Sequence, residues 1–463
     1  MLPDDALLEI FDFCQWNPGW RSNIVWKWHI LVHVCRRWRQ ITFASPLRLN
    51  LQIPCTYGTP VRKSIDIWPA FPIVIGYNAI GIPDGLAPTD EDSVTAALEH
   101  TSRVCKVILY MVTGAQLGRI AKVMQVQFPA LTDLILWSED RNVPVLPGQF
   151  LERSAPSLQQ FELDGIPFPA LPILLPSASD LHTLRLLNMP QSGYISPEAM
   201  VAGLATLTRL RELSIEFQSP NSRPDQLLLP PTTRAVLPTL TYFFFHGVCE
   251  YLEDFAARID TPQLHSISIF YLNQLVDFDV PQISRILNHS EALKRPIHCY
   301  IRLSSKSIDF GVDKTDVDIH IGIICEGIDW QVSHLAQALS RTSFVPSHIV
   351  HLIIETNFDP SESIPEDLDD VEWLQLLNLF SSVQTLIVRK QLTRHISRAL
   401  EVIAGGVTAT EVLPALDMLC LEGQSVSSTD KFIVARRDSG RPVSIVNTRN
   451  EFEKRLKSPT YTR

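Results

Sequence analysis

Residues 129–136 read "PALTDLIL", and a near copy, "PSLQQFEL", follows at 156–163. In each, proline stands two residues before a leucine, and two large apolar residues one place apart close the stretch, Leu134 and Leu136 in the first and Phe161 and Leu163 in the second. Alternation with a period of two marks a short strand with one buried face, and the leading leucine anchors its approach. Proline ahead of the strand blocks a helix from running into it and has no N–H for the ladder to miss. The pattern returns in "PTLTYFFF" (238–245), "PQLHSISI" (262–269) and "PALDMLCL" (414–421). Without the proline it recurs in "VCKVIL" (104–109), "LHTLRL" (181–186), "LRELSI" (210–215), "IVHLII" (349–354) and "VQTLIV" (383–388).

Indexed on the central apolar residue, the copies fall at Val107, Leu134, Phe161, Leu184, Leu213, Phe243, Ile267, Leu352, Leu386 and Leu419. The successive gaps are 27, 27, 23, 29, 30, 24, 85, 34 and 33. Helical patterns occupy the intervals at 93–104, 115–126, 251–259 and 392–405. Strand, loop and helix at a repeating period predict an α/β chain of parallel strands alternating with helices, stacked as a solenoid. Most gaps lie near the roughly 20–29 residues of a leucine-rich repeat, which the array resembles. The position that carries Asn or Cys in such repeats holds Glu139, Ile166, Met189, Gln218, Val248, Leu272 and Gln424 instead. The expectation is therefore an irregular leucine-rich-repeat-like solenoid over 93–423, with a flat α/β sheet of another kind as the alternative. The long gap, 268–351, contains "CYIRLSSKSIDF" and "DVDIHIGIIC", which alternate like strands but break the period. It reads as a decayed repeat or a β-hairpin insertion.

The chain has 463 residues, is 45% hydrophobic and carries a formal net charge of -10. That composition supports a large core and argues against a generally nucleic-acid-binding surface. Eight cysteines are spread thinly with no CxxC spacing, as expected of reduced thiols and not of a disulfide framework or zinc site. The N-terminus carries Asp4 and Asp5 where a secretory signal needs basic residues, and no apolar run suits a membrane span. A soluble protein of the cytoplasm or nucleus is expected.

Ahead of the array, "LPDDALLEIFDFC" places Pro3, Asp4 and Asp5 in a first helical turn, where proline and acids are favoured. Leu7, Leu8, Phe11 and Cys14 then form one apolar stripe. Residues 30–43 are expected to form a second helix, with Leu31, Val34, Cys35, Trp38 and Ile41 on one face and Arg36, Arg37 and Arg39 largely on the wet side. In order, the "LP" at 2–3, "LLEIF" (7–11), "LVHVCRRWRQI" (31–41) and "SPLRLNL" (45–51) are similar to the F-box, and the chain resembles F-box-like proteins of basidiomycete fungi. The resemblance covers about residues 2–50. It implies a short helical domain over 1–53 that docks on the Skp adaptor of a cullin-based ubiquitin ligase. The docking role it implies falls on Leu2, Pro3, Leu7, Leu8, Ile10 and Phe11, and on Leu31, Val34, Cys35 and Trp38. One departure is the tryptophan-dense segment 15–29, which lengthens the interhelical gap by roughly eight residues. It reads as an inserted loop with its own aromatic cluster.

Residues 54–92, rich in proline, read as an ordered, strand-containing linker, and 424–463 as a basic tail. In the tail, "KFIVARRDSGRPVSIV" is expected to form two strands around a turn at Asp438-Ser439-Gly440. No nucleotide-binding glycine motif, nucleophile elbow or HExxH is present. His29 and His33 are four apart with no third ligand nearby, so neither a metal nor any other cofactor is expected. A non-catalytic adaptor that presents an unknown protein target to ligase machinery is the leading expectation. A repeat scaffold whose altered box no longer recruits the ligase is the alternative, and a nucleic-acid role for the basic tail the weakest.

Overall fold

The computed structural model describes residues 2–15, 28–46, 48–56, 61–77, 88–218, 234–272, 280–289, 298–314, 317–324, 328–341, 349–356, 369–404, 411–422 and 429–446. Most of the tryptophan-dense segment and the chain end after 446 lie outside them. The chain divides into two compact units, Met1–Leu187 and Asn188–Arg463. The boundaries expected at 53/54, 92/93 and 423/424 do not delimit these units.

The first unit opens with three helices, α1 (Asp4–Gln15), α2 (Trp28–Val34) and α3 (Arg36–Ala44). Its strands are β1 (Ile53–Cys55), β2 (Ile73–Tyr77), β3 (Val104–Leu109), β4 (Asp133–Trp137), β5 (Gln160–Asp164) and β6 (Thr183–Met189), which pair in that order and all in parallel. Helices α4 (Val61–Ile67), α5 (Pro88–Leu98), α6 (Gly114–Val123) and α7 (Leu171–Leu174) lie between strands. The proline-rich "linker" is thus part of the sheet, supplying β1, α4 and β2.

The indexing residues of the repeats are register partners. Cys55, Ile75, Val107, Leu134, Phe161 and Leu184 form one row across the first unit, every member fully buried. Two residues on, Tyr77, Leu109, Leu136, Leu163 and Leu186 form a second buried row. The leading leucines, Leu131, Leu158 and Leu181, are buried beside them. Ahead of β4 and β5 one carbonyl accepts two N–H groups at the start of the next strand: Thr132 O takes Gln159 and Gln160 (2.7 and 3.0 Å), and Gln159 O takes His182 and Thr183 (2.8 and 3.1 Å). This repeat holds the register, because a one-residue slip would turn every buried side chain outward.

The second unit carries β7 (Glu212–Phe217), β8 (Ala235–Val236), β9 (Tyr242–Gly247), β10 (Ile259–Asp260), β11 (Ser266–Leu272), β12 (His298–Leu303), β13 (Ser307–Lys314), β14 (Val317–Ile324), β15 (His351–Thr356), β16 (Thr385–Val388), β17 (Met418–Leu421) and β18 (Ser444–Val446). Its helices are α8 (Pro197–Leu204), α9 (Cys249–Ala257), α10 (Pro281–His289), α11 (Ile328–Arg341), α12 (Asp370–Asn378), α13 (Thr393–Ala404) and α14 (Asp430–Asp438). The sheet order is β7-β9-β11-β14-β13-β12-β15-β16-β17-β18, and β8 pairs with β10 separately. Every pairing is parallel except those of β13, which runs antiparallel to both neighbours. The long gap between repeats is therefore an inserted meander, β12-β13-β14, that keeps the register. Leu213, Phe243, Ile267, Ile319, Val312, Cys299, Leu352, Leu386 and Leu419 form one continuous buried row through it.

The expected C-terminal hairpin is corrected. Residues 430–438 are helix α14, and Gly440 (φ 74°) closes it, with its N–H on Arg437 O and the Arg441 N–H on Arg436 O. The Asp-Ser-Gly turn is a helix C-terminus with a left-handed glycine, a conformation that glycine adopts without steric cost. Arg436 is buried and donates to Leu416 O at 2.9 Å, and β18 then pairs in parallel with β17.

Because Phe161 sits in the middle of a fully packed row, Phe161→Ala should destabilise the first unit by about 3–5 kcal/mol. Val145→Ala, at an exposed position, should cost under about 0.5 kcal/mol. Urea unfolding monitored by tryptophan fluorescence measures both.

Candidate functional site

The N-terminal helices are joined side to side by aromatic packing and two arginines. Leu7, Leu8 and Phe11 on α1 are buried, and Phe11 packs on Trp38 of α3 at 4.7 Å between ring centroids. Trp28 donates Nε1–H to Gln52 O (2.9 Å) and meets Phe43, Trp68 and Phe71 edge-on. The expected single helix over 30–43 is interrupted at Cys35. That residue is extended (φ −158°, ψ 169°), and its Sγ accepts from Trp38 N–H at 3.4 Å as the N-cap of α3. Two of the three arginines bond back across the helices. Arg37 reaches back to Asp4 Oδ1 and to Leu2 O (both 2.5 Å), and Arg39 donates to Val32 O (2.9 Å). They tie α1 to α3, and α3 to α2.

This packing divides the ten residues expected to dock. Leu7, Leu8, Phe11 and Leu31 are inside, and Trp38 is half-buried against Phe11. Leu2, Pro3, Ile10, Val34 and Cys35 are exposed. Val34 and Cys35 therefore do not share the buried face with Leu31, because the break at Cys35 ends α2 before its stripe can continue. Two apolar residues that sequence reasoning passed over join the exposed set: Phe13, 82% exposed, and Ile30, 54% exposed. The signal was present, since Phe13 follows Ile10 by three and Val34 follows Ile30 by four. The side chains of Cys14 and His29 lie outside the described residues.

The second unit presents a different surface on the sheet face opposite its buried rows. One register row there holds Glu216, His246, Phe270, Gly322, Asp309, Arg302 and Glu355, with Arg389 next to it beyond β16. His246 meets Glu216 at 3.1 Å; Arg302 and Arg389 both pair with Glu355, at 2.8 and 2.5 Å. The row two residues earlier holds Phe244, Ser268, His320, Gly311, Tyr300 and Ile353. Further along, Ile353, Ile387, Met418, Cys420 and Val446 form an apolar patch. The rings form a chain: Phe244–Phe270 5.8 Å, Phe270–His320 4.7 Å and His320–Tyr300 6.2 Å, with Arg302 stacked 4.8 Å from the Tyr300 centroid.

Burial sets the chemistry of the titratable groups. It pushes Asp309 up to about 6, against weaker downward pulls from Arg302 and a Ser307 hydrogen bond. Burial, then Arg302, holds His320 below its usual value, and burial, then His298, does the same to His351. The thiols go the other way: burial pushes Cys55 up to about 12 and Cys105 up to about 11, so both stay protonated at neutral pH. Among the described residues no three His, Cys, Asp or Glu side chains are grouped to hold a metal, and no helix is long and apolar enough to cross a membrane. No protein-family model matches the chain, and no curated protein matches it either.

A raised carboxyl value means the folded chain binds that proton more tightly than the unfolded one. Stability from this group is full well below pH about 4 and is lost as pH rises through about 6. Asp309→Asn should therefore raise stability by roughly 1–3 kcal/mol at pH 8, with the gain vanishing near pH 4. Guanidinium unfolding of both proteins across that range measures the gap.

Proposed function

We propose that the chain is a non-catalytic substrate-recognition adaptor of a Skp–cullin–F-box ubiquitin ligase, acting in the cytoplasm or nucleus. Its N-terminal helices would dock on the Skp adaptor, and its repeats, taken as an irregular leucine-rich-repeat-like solenoid, would bind a protein target. The observation that carries this reading is the exposed apolar set Leu2, Ile10, Phe13, Ile30 and Val34 on helices locked together by Arg37 and Arg39. Such residues, on a rigid helical platform of F-box-like sequence, suit burial against partner helices. The chemistry is tethering: a target held near a ubiquitin-charged active site on another subunit has its lysines at high effective concentration.

The reading also redistributes roles among the ten residues the resemblance points to. Leu7, Leu8, Phe11 and Leu31 build the platform with the half-buried Trp38, whereas Leu2, Pro3, Ile10, Val34 and Cys35 contact the adaptor, joined by Phe13 and Ile30. A scaffold that no longer recruits the ligase is the second reading, favoured by the internal burial of four of the ten.

Affinity capture of the tagged full-length chain with a purified Skp adaptor separates the two. Phe13→Asp and Ile10→Asp should each weaken capture at least about tenfold while leaving the melting temperature within a few degrees. Leu8→Asp should instead lower the melting temperature, because it places a charge inside the platform. Capture that is absent in the wild type, or untouched by Phe13→Asp, overturns the adaptor reading.

A further inference from the structure

Arginine-directed protein kinases select a serine or threonine that follows an arginine by three places, because an acidic subsite of the kinase receives the guanidinium. Among the described residues that spacing occurs at Thr42, Ser214, Thr261, Ser305, Ser397, Ser439 and Ser444. Burial removes most of them. Thr42, Ser214, Thr261 and Ser397 are buried, and Ser305 is half-buried, with its arginine, Arg302, taken up by Glu355. Ser439 and Ser444 remain, both exposed and both in one stretch, "RRDSGRPVS" (436–444).

The sequence alone favours Ser439, which has two arginines ahead of it. The structure reverses that order. Arg436 is buried and donates to Leu416 O at 2.9 Å, so it cannot enter a kinase subsite while α14 is folded. Ser439 is itself engaged, since its N–H and its hydroxyl both donate to Ala435 O, at 3.1 and 2.8 Å. Arg441 is exposed instead, with Nη1 3.4 Å from Pro414 O. Ser444 opens strand β18, so its backbone is already extended, the conformation in which a peptide threads a kinase cleft. The residue after it, Ile445, is apolar and only half-buried.

We propose that Ser444 is phosphorylated by an arginine-directed serine/threonine kinase that reads Arg441, and that the added charge loosens β18 from the sheet. In the transfer, Ser444 Oγ attacks the γ-phosphorus of a nucleoside triphosphate supplied with the kinase. The Oγ–P bond forms as the bond from that phosphorus to the β–γ bridging oxygen breaks. The nucleoside diphosphate leaves, and the hydroxyl proton passes to the carboxylate base of the kinase.

The place of β18 makes it responsive to such a change. It is three residues long and, among the described residues, pairs with β17 alone as the last strand of the sheet. A short strand held along one edge opens locally at little cost. Ser444 is the register partner of Met418, on the side of the sheet where Met418, Cys420, Val446 and Ile387 form an apolar cluster. A phosphate carries about −1.5 to −2 charge at pH 7 and must stay hydrated. Docked beside those apolar side chains it loses part of its water, so the phosphorylated strand leaves β17 more often. The N-terminal helices play no part in this chemistry.

The test incubates the folded full-length protein with magnesium ATP and the catalytic domain of a calmodulin-dependent protein kinase. Phosphate uptake at Ser444 is followed by mass spectrometry, with fragment spectra and the Ser444→Ala variant assigning the site. Arg441→Ala should slow uptake about tenfold, whereas Arg437→Ala, at an exposed position of the same stretch, should leave it within about twofold. In the fully phosphorylated protein, amide hydrogens of 444–446 should exchange several-fold faster, with those of β4 and β5 unchanged. The proposal is overturned if no phosphate reaches Ser444, if Ser439 takes it up faster, or if Arg441→Ala is modified as fast as the wild type. It is equally overturned if phosphorylation leaves exchange over 444–446 as it was.

Discussion

One apolar side chain per strand, placed at the same register position, is the constraint on which the sheets depend. In the first unit it runs from Cys55 to Leu184, and in the second from Leu213 to Leu419. A three- to eight-residue strand cannot stand alone. It persists because both neighbours present a matching side chain and a matching pair of backbone groups. The doubled N–H donation to the carbonyl before each strand recurs at Thr132, Gln159, Arg211, Thr241, Val350 and Gln384. The bond geometry thus repeats where the helices between strands do not. Register is conserved even across the antiparallel insertion, where Val312 and Cys299 occupy the shared row.

Fixing one row fixes the parity of the whole face. With residues 243 and 245 turned in, 244 and 246 must turn out, and the same holds for 300, 302, 309 and 320. The assembly of rings, acids and arginines on the open side is therefore a consequence of strand register, not of loop conformation. Its side chains sit on rigid backbone, which suits a surface that must hold a charge in a defined place.

Ten strands could be read from the sequence because each combines a leading apolar residue with a period-two alternation, a signal local enough to survive irregular spacing. Three features could not be read so. The break at Cys35 hides because Leu31, Val34, Cys35 and Trp38 also suit a continuous helix; only the cap geometry at Cys35 separates α2 from α3. Helix α14 hides because "KFIVARRDSG" mixes strand-forming residues with a turn-like ending, whereas burial of Phe432 and Arg436 on one side decides for helix. The open-face cluster hides because its members, from Glu216 to Arg389, are spread over more than 170 positions and meet only through register. At the N-terminus, amphipathic spacing picked out Leu7, Leu8 and Phe11, which are buried, but it put Val34 and Cys35 on one face with Leu31, where the break at Cys35 leaves them exposed.

The two surfaces differ in physical character. Helix α2 has apolar residues on both sides, with Leu31 and Val32 buried and Ile30 and Val34 in water. Burying such exposed apolar residues would be favourable, and the hydrophobic effect supplies that drive without specifying direction. The open face is polar and internally paired, so burying most of it brings little gain. At Asp309 burial disfavours the charge, against weaker opposing pulls from Arg302 and a Ser307 hydrogen bond, and the row is otherwise paired within itself.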